Sequence, residues 1–167
     1  DADTLVEQIH GELAEIEATA KGMDKHTGKT TILMDPLTAV SPKVLITPHF
    51  LVKHQNENPR LHGIITQLRT IPRENLKPII LSRYRLLNDS ILVTRNNKKL
   101  PFEAQSNIRI VCDTRMTLTI LSLLHVMGGH YGINTLARVF SQTYKSNNSL
   151  QGFAKMVALG CRACRFH

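Results

Sequence analysis

Leu124-His125-Val126-Met127-Gly128-Gly129-His130-Tyr131-Gly132 decides how the second half of this chain folds, read together with Cys161-Arg162-Ala163-Cys164 downstream. The order is His-x4-His-x30-Cys-x2-Cys, in surroundings with helical periodicity. A tetrahedral metal ion takes four nitrogen or sulfur ligands, and two cysteines separated by two residues turn a tight knuckle that aims both thiolates at one point. On an unbroken helix, His125 and His130 would lie roughly 140° apart, too far round to share one ion. A helix break at Gly128-Gly129 removes the conflict, because His130 then returns over the last turn beside His125. Four protein ligands leave no open position, so His125, His130, Cys161 and Cys164 are expected to hold a structural zinc ion with no hydrolytic role.

Outward from this motif the apolar spacing gives three short helices. Met116, Ile120, Leu123 and Leu124 form one stripe, Ile133, Leu136, Ala137 and Phe140 a second, and Leu150, Phe153, Ala154 and Val157 a third. Ser149 is placed to cap the third helix and Gly160 to stop it. A segment of about 50 residues is marginal on its own, so the metal is expected to contribute folding free energy directly.

Further upstream, Asn58 as N-cap and Pro59 as first helical residue start a helix whose stripe is Leu61, Ile64, Ile65 and Leu68. Residues 84–87 and 91–94 alternate as strands around Asn88-Asp89-Ser90, Asn96-Asn97-Lys98-Lys99 makes another turn, and residues 108–112 offer a third strand with Cys112 buried in it. The expected fold class is α+β, with a small antiparallel three-stranded sheet crossed by the Pro59 helix and followed by a zinc-stabilised three-helix, helix-turn-helix-like domain. Residues 1–20 carry an amphipathic pattern on Leu5, Ile9, Leu13 and Ile16, and residues 22–48 read as a linker punctuated by Pro36, Pro42 and Pro48. The domain boundaries that follow are residues 1–48, 49–113 and 114–167.

The 167 residues carry a net charge of +8, unevenly spread. Asp1, Asp3, Glu7, Glu12, Glu15 and Glu17 crowd the start, whereas no acid follows Asp113 although Arg115, Arg138, Lys145, Lys155, Arg162 and Arg165 do. A metal segment surrounded only by cations suits a phosphate backbone. Three cysteines, two of them better used on metal, argue against a disulfide framework. Neither a long apolar span nor a secretory leader is visible, so the chain is expected to be intracellular, in the nucleus or a cytoplasmic particle, without membrane contact. Gly22 to Thr30 fails as a phosphate loop: its glycines are spaced one residue too far apart and the segment before it is helical in pattern.

These residues resemble a known family, the amino-terminal zinc-binding domain of retroviral and long-terminal-repeat retrotransposon integrases. The run Arg109-Ile110-Val111-Cys112-Asp113-Thr114-Arg115-Met116, continuing to His125, is similar to the family's strand, turn and helix before the first histidine. Gly129-His130-Tyr131-Gly132 with Thr135 and Leu136 resembles the signature around the second. The likeness is strongest to gypsy-like elements, whose upstream helix and hairpin have counterparts in residues 55–68 and 84–92. The chain departs from the family at Tyr144-Lys145-Ser146-Asn147-Asn148-Ser149, where Tyr-Trp-Pro-Gly-Met is usual, and at Cys112-Asp113, where Val-Pro is usual.

The resemblance implies a DNA-binding and multimerisation module of a Pol polyprotein. Such a module folds around zinc, contacts the DNA ends of the element and assembles with other integrase subunits as a homo-oligomer. Strand transfer belongs to a following core whose Asp-Asp-Glu triad binds magnesium, so magnesium is expected only there and this segment is expected to have no catalytic residue. Residues 1–48 would be the tether from a preceding ribonuclease H region, and the chain, beginning at Asp1 and ending three residues after Cys164, reads as a piece of a larger polypeptide. The helix-turn-helix likeness makes Thr135, Arg138, Gln142 and Lys145, read as lying on the second helix, candidates for DNA contact, with Arg115, Arg162 and Arg165 beside them. The alternative is a host-captured or degenerate copy in which zinc holds a protein-interaction domain.

Overall fold

A computed structural model describes residues 46–146 and 149–165. The helix expected over residues 1–20 and most of the linker expected over 22–48 lie outside them. The described residues belong to two compact units, one of Thr47–Met116 with Ser141–Asn148 and one of Thr117–Phe140 with the residues from Ser149 onward.

The first unit begins with helix α1, Pro48–Glu57, where a linker and the lead-in to the Pro59 helix were expected. Thr47 caps it by accepting from the Phe50 N–H at 3.1 Å, and Pro48 occupies the first turn, where a missing N–H costs nothing. Helix α2, Pro59–Thr70, starts where the sequence placed it, with the Asn58 side chain accepting from the Leu61 N–H at 3.1 Å. A short helix α3, Pro78–Arg83, leads into strand β1, Tyr84–Leu87, followed by β2, Ile91–Arg95, and β3, Ile108–Cys112. Asn88 and Asp89 both take positive φ (51° and 58°), and the Ser90 N–H donates to the Leu87 carbonyl at 3.1 Å. That closes the hairpin with residues that tolerate the left-handed region.

The sheet has four strands in the order β1-β2-β3-β4, not three. The extra strand β4, Tyr144–Ser146, runs parallel to β3, so the sheet is mixed where an antiparallel one was expected. Three residues are too few to show alternation, and a parallel partner supplies no hairpin signal. What brings β4 in lies in the backbone: the Ile110 N–H donates to the Thr143 carbonyl at 2.9 Å, and the Arg109 guanidinium to the Ser141 carbonyl at 2.7 Å.

One face of this sheet packs against α2 through Leu61, Ile64, Ile65, Leu92 and Val111, with Leu68, Ile80, Tyr84 and Leu86 around them. The β2–β3 pairing ends at Val93 opposite Ile110. At the next rung the fully buried Gln55 of α1 takes the place of a strand: its amide accepts from the Leu92 N–H (2.8 Å) and donates to the carbonyls of Leu92 (3.0 Å) and Val111 (2.9 Å). Burying an amide is tolerated because its donors and acceptor are satisfied.

The helices of the metal segment are α4, Thr114–Met127, α5, Ile133–Ser141, α6, Leu150–Gly160, and the single turn α7, Arg162–Arg165. Asp113 caps α4, its carboxylate accepting from the Met116 N–H at 2.8 Å. Leu118, Ile120, Leu121, Leu136, Phe140, Ala154 and Val157 are fully buried. Ser149 precedes α6 as expected but makes no side-chain capping bond. Among the described residues no helix is long and apolar enough to cross a membrane.

Candidate metal centre

Helix α4 presents His125 in its last turn, and the chain must then reverse within five residues to bring His130 back. It does so with two consecutive left-handed residues, Gly129 (φ 83°) and His130 (φ 63°), and the His130 N–H donates to the His125 carbonyl at 2.6 Å. This six-to-one bond is the Schellman closure of a helix end. Gly128 is tied as well, since a Cβ there would strike the Tyr131 ring and approach the Leu124 carbonyl oxygen to 2.6 Å. The glycine pair thus does what the sequence required of it, with the first glycine making room for Tyr131 and the second turning the chain. A histidine at positive φ is uncommon, and such backbone tends to persist where something else fixes the side chain.

Cys161 follows Gly160 directly at the end of α6, and Cys164 lies on α7, so the knuckle is one helical turn. One ligand atom from each of His125, His130, Cys161 and Cys164 lies within 4.8 Å of all the others, close enough to hold a metal ion. The atoms are identifiable. His125 Nδ1 lies 2.9 Å from the Tyr131 carbonyl, which can only accept, so this nitrogen carries the proton and Nε2 turns its lone pair to the cluster. His130 Nδ1 is 3.3 Å from His125 Nε2, Cys161 Sγ is 3.3 Å from His130 Nδ1, and Cys164 Sγ is 3.4 Å from each of these nitrogens. The two imidazoles stand at 88° to one another. These four separations of 3.3–3.4 Å gather the lone-pair atoms about one place, close enough to hold a metal ion, whereas a hydrogen-bonded cluster would need one proton per contact.

His125 is buried (1% exposed) and Cys161 nearly so, while His130 is exposed, so the site sits under the surface with one imidazole as its outer wall. Burial first, then the hydrogen bond and charge of neighbouring Cys161, push the Cys164 thiol up from its ordinary range. Two thiolates side by side repel, and a divalent cation between them reverses that balance. All four positions are filled by protein, which suits a structural role.

Cys112, the third cysteine, is fully buried in β3, where burial and then the Asp113 charge push its thiol up, and it takes no part in the cluster. The DNA-contact candidates are more scattered than the sequence suggested. Thr135 and the exposed Arg138 lie on α5, but that helix ends at Ser141, so Gln142 falls in the following turn and Lys145 on β4. Both belong to the sheet unit, and they are not residues of the second helix as expected. The cause is the extra strand, which draws the chain out of the helical pattern. Arg115 is exposed in the first turn of α4, and Arg162 is exposed between the two cysteines. Arg165 ends α7.

Sequence reasoning passed over Tyr131 and Gln55. Tyr131 acts through its carbonyl, a group every residue has, so no side-chain signal marks it; its ring is legible only beside Gly128. No family model, curated protein or solved structure matches this chain.

Proposed function

We propose that this chain is the zinc-binding, DNA-binding and multimerisation module of a retroelement integrase from a Pol polyprotein, without catalytic residues of its own. The observation that carries the reading is the His125–His130–Cys161–Cys164 cluster, whose ligand atoms lie within 4.8 Å of one another. Around zinc, with bonds of about 2.0–2.1 Å to nitrogen and 2.3 Å to sulfur, adjacent ligand atoms stand roughly 3.3 Å (N···N) and 3.6 Å (N···S) apart. The 3.3 and 3.4 Å edges fit such an ion with little adjustment. His-His-Cys-Cys order, a glycine-made helix end between the histidines and acid-free flanks support the assignment together.

DNA contact is supported by charge: Arg138 and Arg162 are exposed and no acid follows Asp113. Phosphate-directed cations of this kind supply salt-dependent binding rather than base readout. The second reading is a host-captured or degenerate copy in which the metal holds a protein-interaction domain, and the exposed Leu159 on α6 (59% exposed) is where such a partner would be sought. Mobility shifts of terminal-repeat DNA across a salt series, with zinc content measured by mass spectrometry, separate the two. The integrase reading expects one zinc per chain, binding that weakens steeply with salt, and loss with Arg138→Ala plus Arg162→Ala. Zinc-loaded protein with no affinity for DNA at low salt would leave the protein-interaction reading standing and remove the first.

A further inference from the structure

A second site lies in the sheet unit, wholly apart from the metal ligands in sequence. A cleft of about 440 Å³ opens between α3 and the end of β2. Three of its lining residues, Arg83, Arg95 and Lys98, are cations, and among the described residues none of them pairs with a carboxylate. Three cations around one cleft with no carboxylate among them make its potential positive, which favours an anion.

The cleft is built, not a chance gathering of mobile side chains. Arg95 is half-buried, its guanidinium donating to the Ser82 carbonyl at 2.6 Å and more weakly to the Leu100 carbonyl at 3.4 Å while lying 4.9 Å from the Phe102 ring centroid. Its Nε–H is buried with no partner, an unusual state for so strong a donor. Arg85 lies over the same ring at 4.4 Å, so Phe102 takes contacts from two guanidiniums. Burial, and then repulsion from Arg73 and Arg95 against only Glu103, hold the Arg85 pKa below its ordinary value. The loop carrying Lys98 is pinned by the buried Asn107, whose amide accepts from the Asn97 N–H (2.7 Å) and donates to the Asn97 carbonyl (2.9 Å). Thr94 and Ser82 complete the lining.

The α3 side of the cleft also carries apolar surface, with Arg83 one turn on from Ile79. Pro78 and Ile79 line the cleft, and Ile79 is 52% exposed. A bare anion would have no use for that surface, and a duplex backbone is met by a ridge or flat patch more readily than by a concavity of this size. Cavities of about 300–1,000 Å³ suit small molecules with a few fixed polar contacts. We propose that this cleft binds a nucleotide, its phosphates on Arg83, Arg95 and Lys98 and its sugar and base against Pro78 and Ile79. Arg offers forked donors to phosphate oxygens, and Lys98 adds a movable point charge.

The test is calorimetric titration of the full chain with ADP, pyrophosphate and adenosine. ADP should bind more tightly than pyrophosphate, and adenosine should bind barely at all. Arg83→Ala and Lys98→Ala, both at exposed positions, should each weaken ADP at least tenfold with circular dichroism unchanged, and Ile79→Ser should narrow the gap between ADP and pyrophosphate. Chelating the metal should leave ADP binding in place, since every lining residue belongs to the sheet unit, so failure here and failure of the zinc reading are told apart. No heat with ADP at millimolar concentration, or binding indifferent to the Arg83→Ala and Lys98→Ala pair, overturns the site. ADP binding no tighter than pyrophosphate, or displacement of ADP by duplex DNA through the same two cations, overturns the nucleotide as occupant.

Discussion

The two units of this molecule solve the same problem differently. In the sheet unit, every buried polar group at the β2–β3 fork meets a neutral partner, because Gln55 completes the rung that the strands leave open. In the helical unit the polar groups gathered at the end of α4 are the buried His125 and Cys161, the half-buried Cys164 and the exposed His130, whose ligand atoms lie within 4.8 Å of one another. Amides facing carbonyls are satisfied within the chain. Four such ligand atoms gathered together are best satisfied by a cation, so on the proposed reading the first unit is self-sufficient and the second conditional.

The largest effect should therefore come from the metal. Chelation, or Cys161→Ser, should release α5, α6 and α7 while the sheet unit keeps its structure, since metal binding at such sites contributes about 10–16 kcal/mol, as much as a small domain's whole stability. Hydrogen exchange reads this directly: amides of 133–141 and 150–160 lose protection, and those of Leu92 and Val93 keep it. Uniform loss across both units, or none, would end the contrast.

Next in size is the sheet unit's apolar core. Leu61→Ala removes a side chain with 0% exposure from the α2 face and should cost about 2–5 kcal/mol in denaturant unfolding. The metal stoichiometry should stay unchanged. A variant that loses metal along with stability would show that the units fold as one.

Both units were partly legible in the sequence, for different reasons. Periodicity exposed α2, the β1–β2 hairpin and the three main helices, because each buries one regular face. The ligands were legible because cysteine and histidine at short spacing have few other uses, and the Gly128-Gly129 break had to exist if His125 and His130 were to meet. What escaped was held by backbone or by a single long-range contact. Strand β4 is three residues recruited by backbone bonds to β3, and its presence moved Gln142 and Lys145 off the helix expected to carry them. Helix α1 hid behind Pro48, read as linker punctuation when it was a helix start. Gln55 looked like any surface amide, since nothing local says that it will meet Leu92, 37 positions on, and Val111, 56 positions on.

That escape suggests the third test. Gln55→Leu keeps volume but leaves the Leu92 N–H and two carbonyls facing apolar atoms, which should cost about 1–3 kcal/mol after local adjustment. Faster exchange should be confined to the Leu92 and Val111 rungs. A fully stable variant would mean that the fork between β2 and β3 closes by itself and that Gln55 is a passenger.

The smallest predicted effect concerns the join between two helix starts. Asn58 caps α2 through its side-chain oxygen and donates from Nδ2 to Asp113 at 3.1 Å, while the other carboxylate oxygen of Asp113 caps α4. Replacing Asn58 with Ala removes a cap worth about 1 kcal/mol. Asp113→Ala should cost a similar amount, and the double variant should cost less than the sum by roughly 0.5 kcal/mol or more, as side chains in contact do. Metal affinity gives the sharper readout. If Asn58→Ala leaves it unchanged while Asp113→Ala weakens it, the order at the start of α4 reaches His125 through the helix. If neither moves it, the metal sets the geometry of its own ligands, and the conditional unit owes nothing to the self-sufficient one.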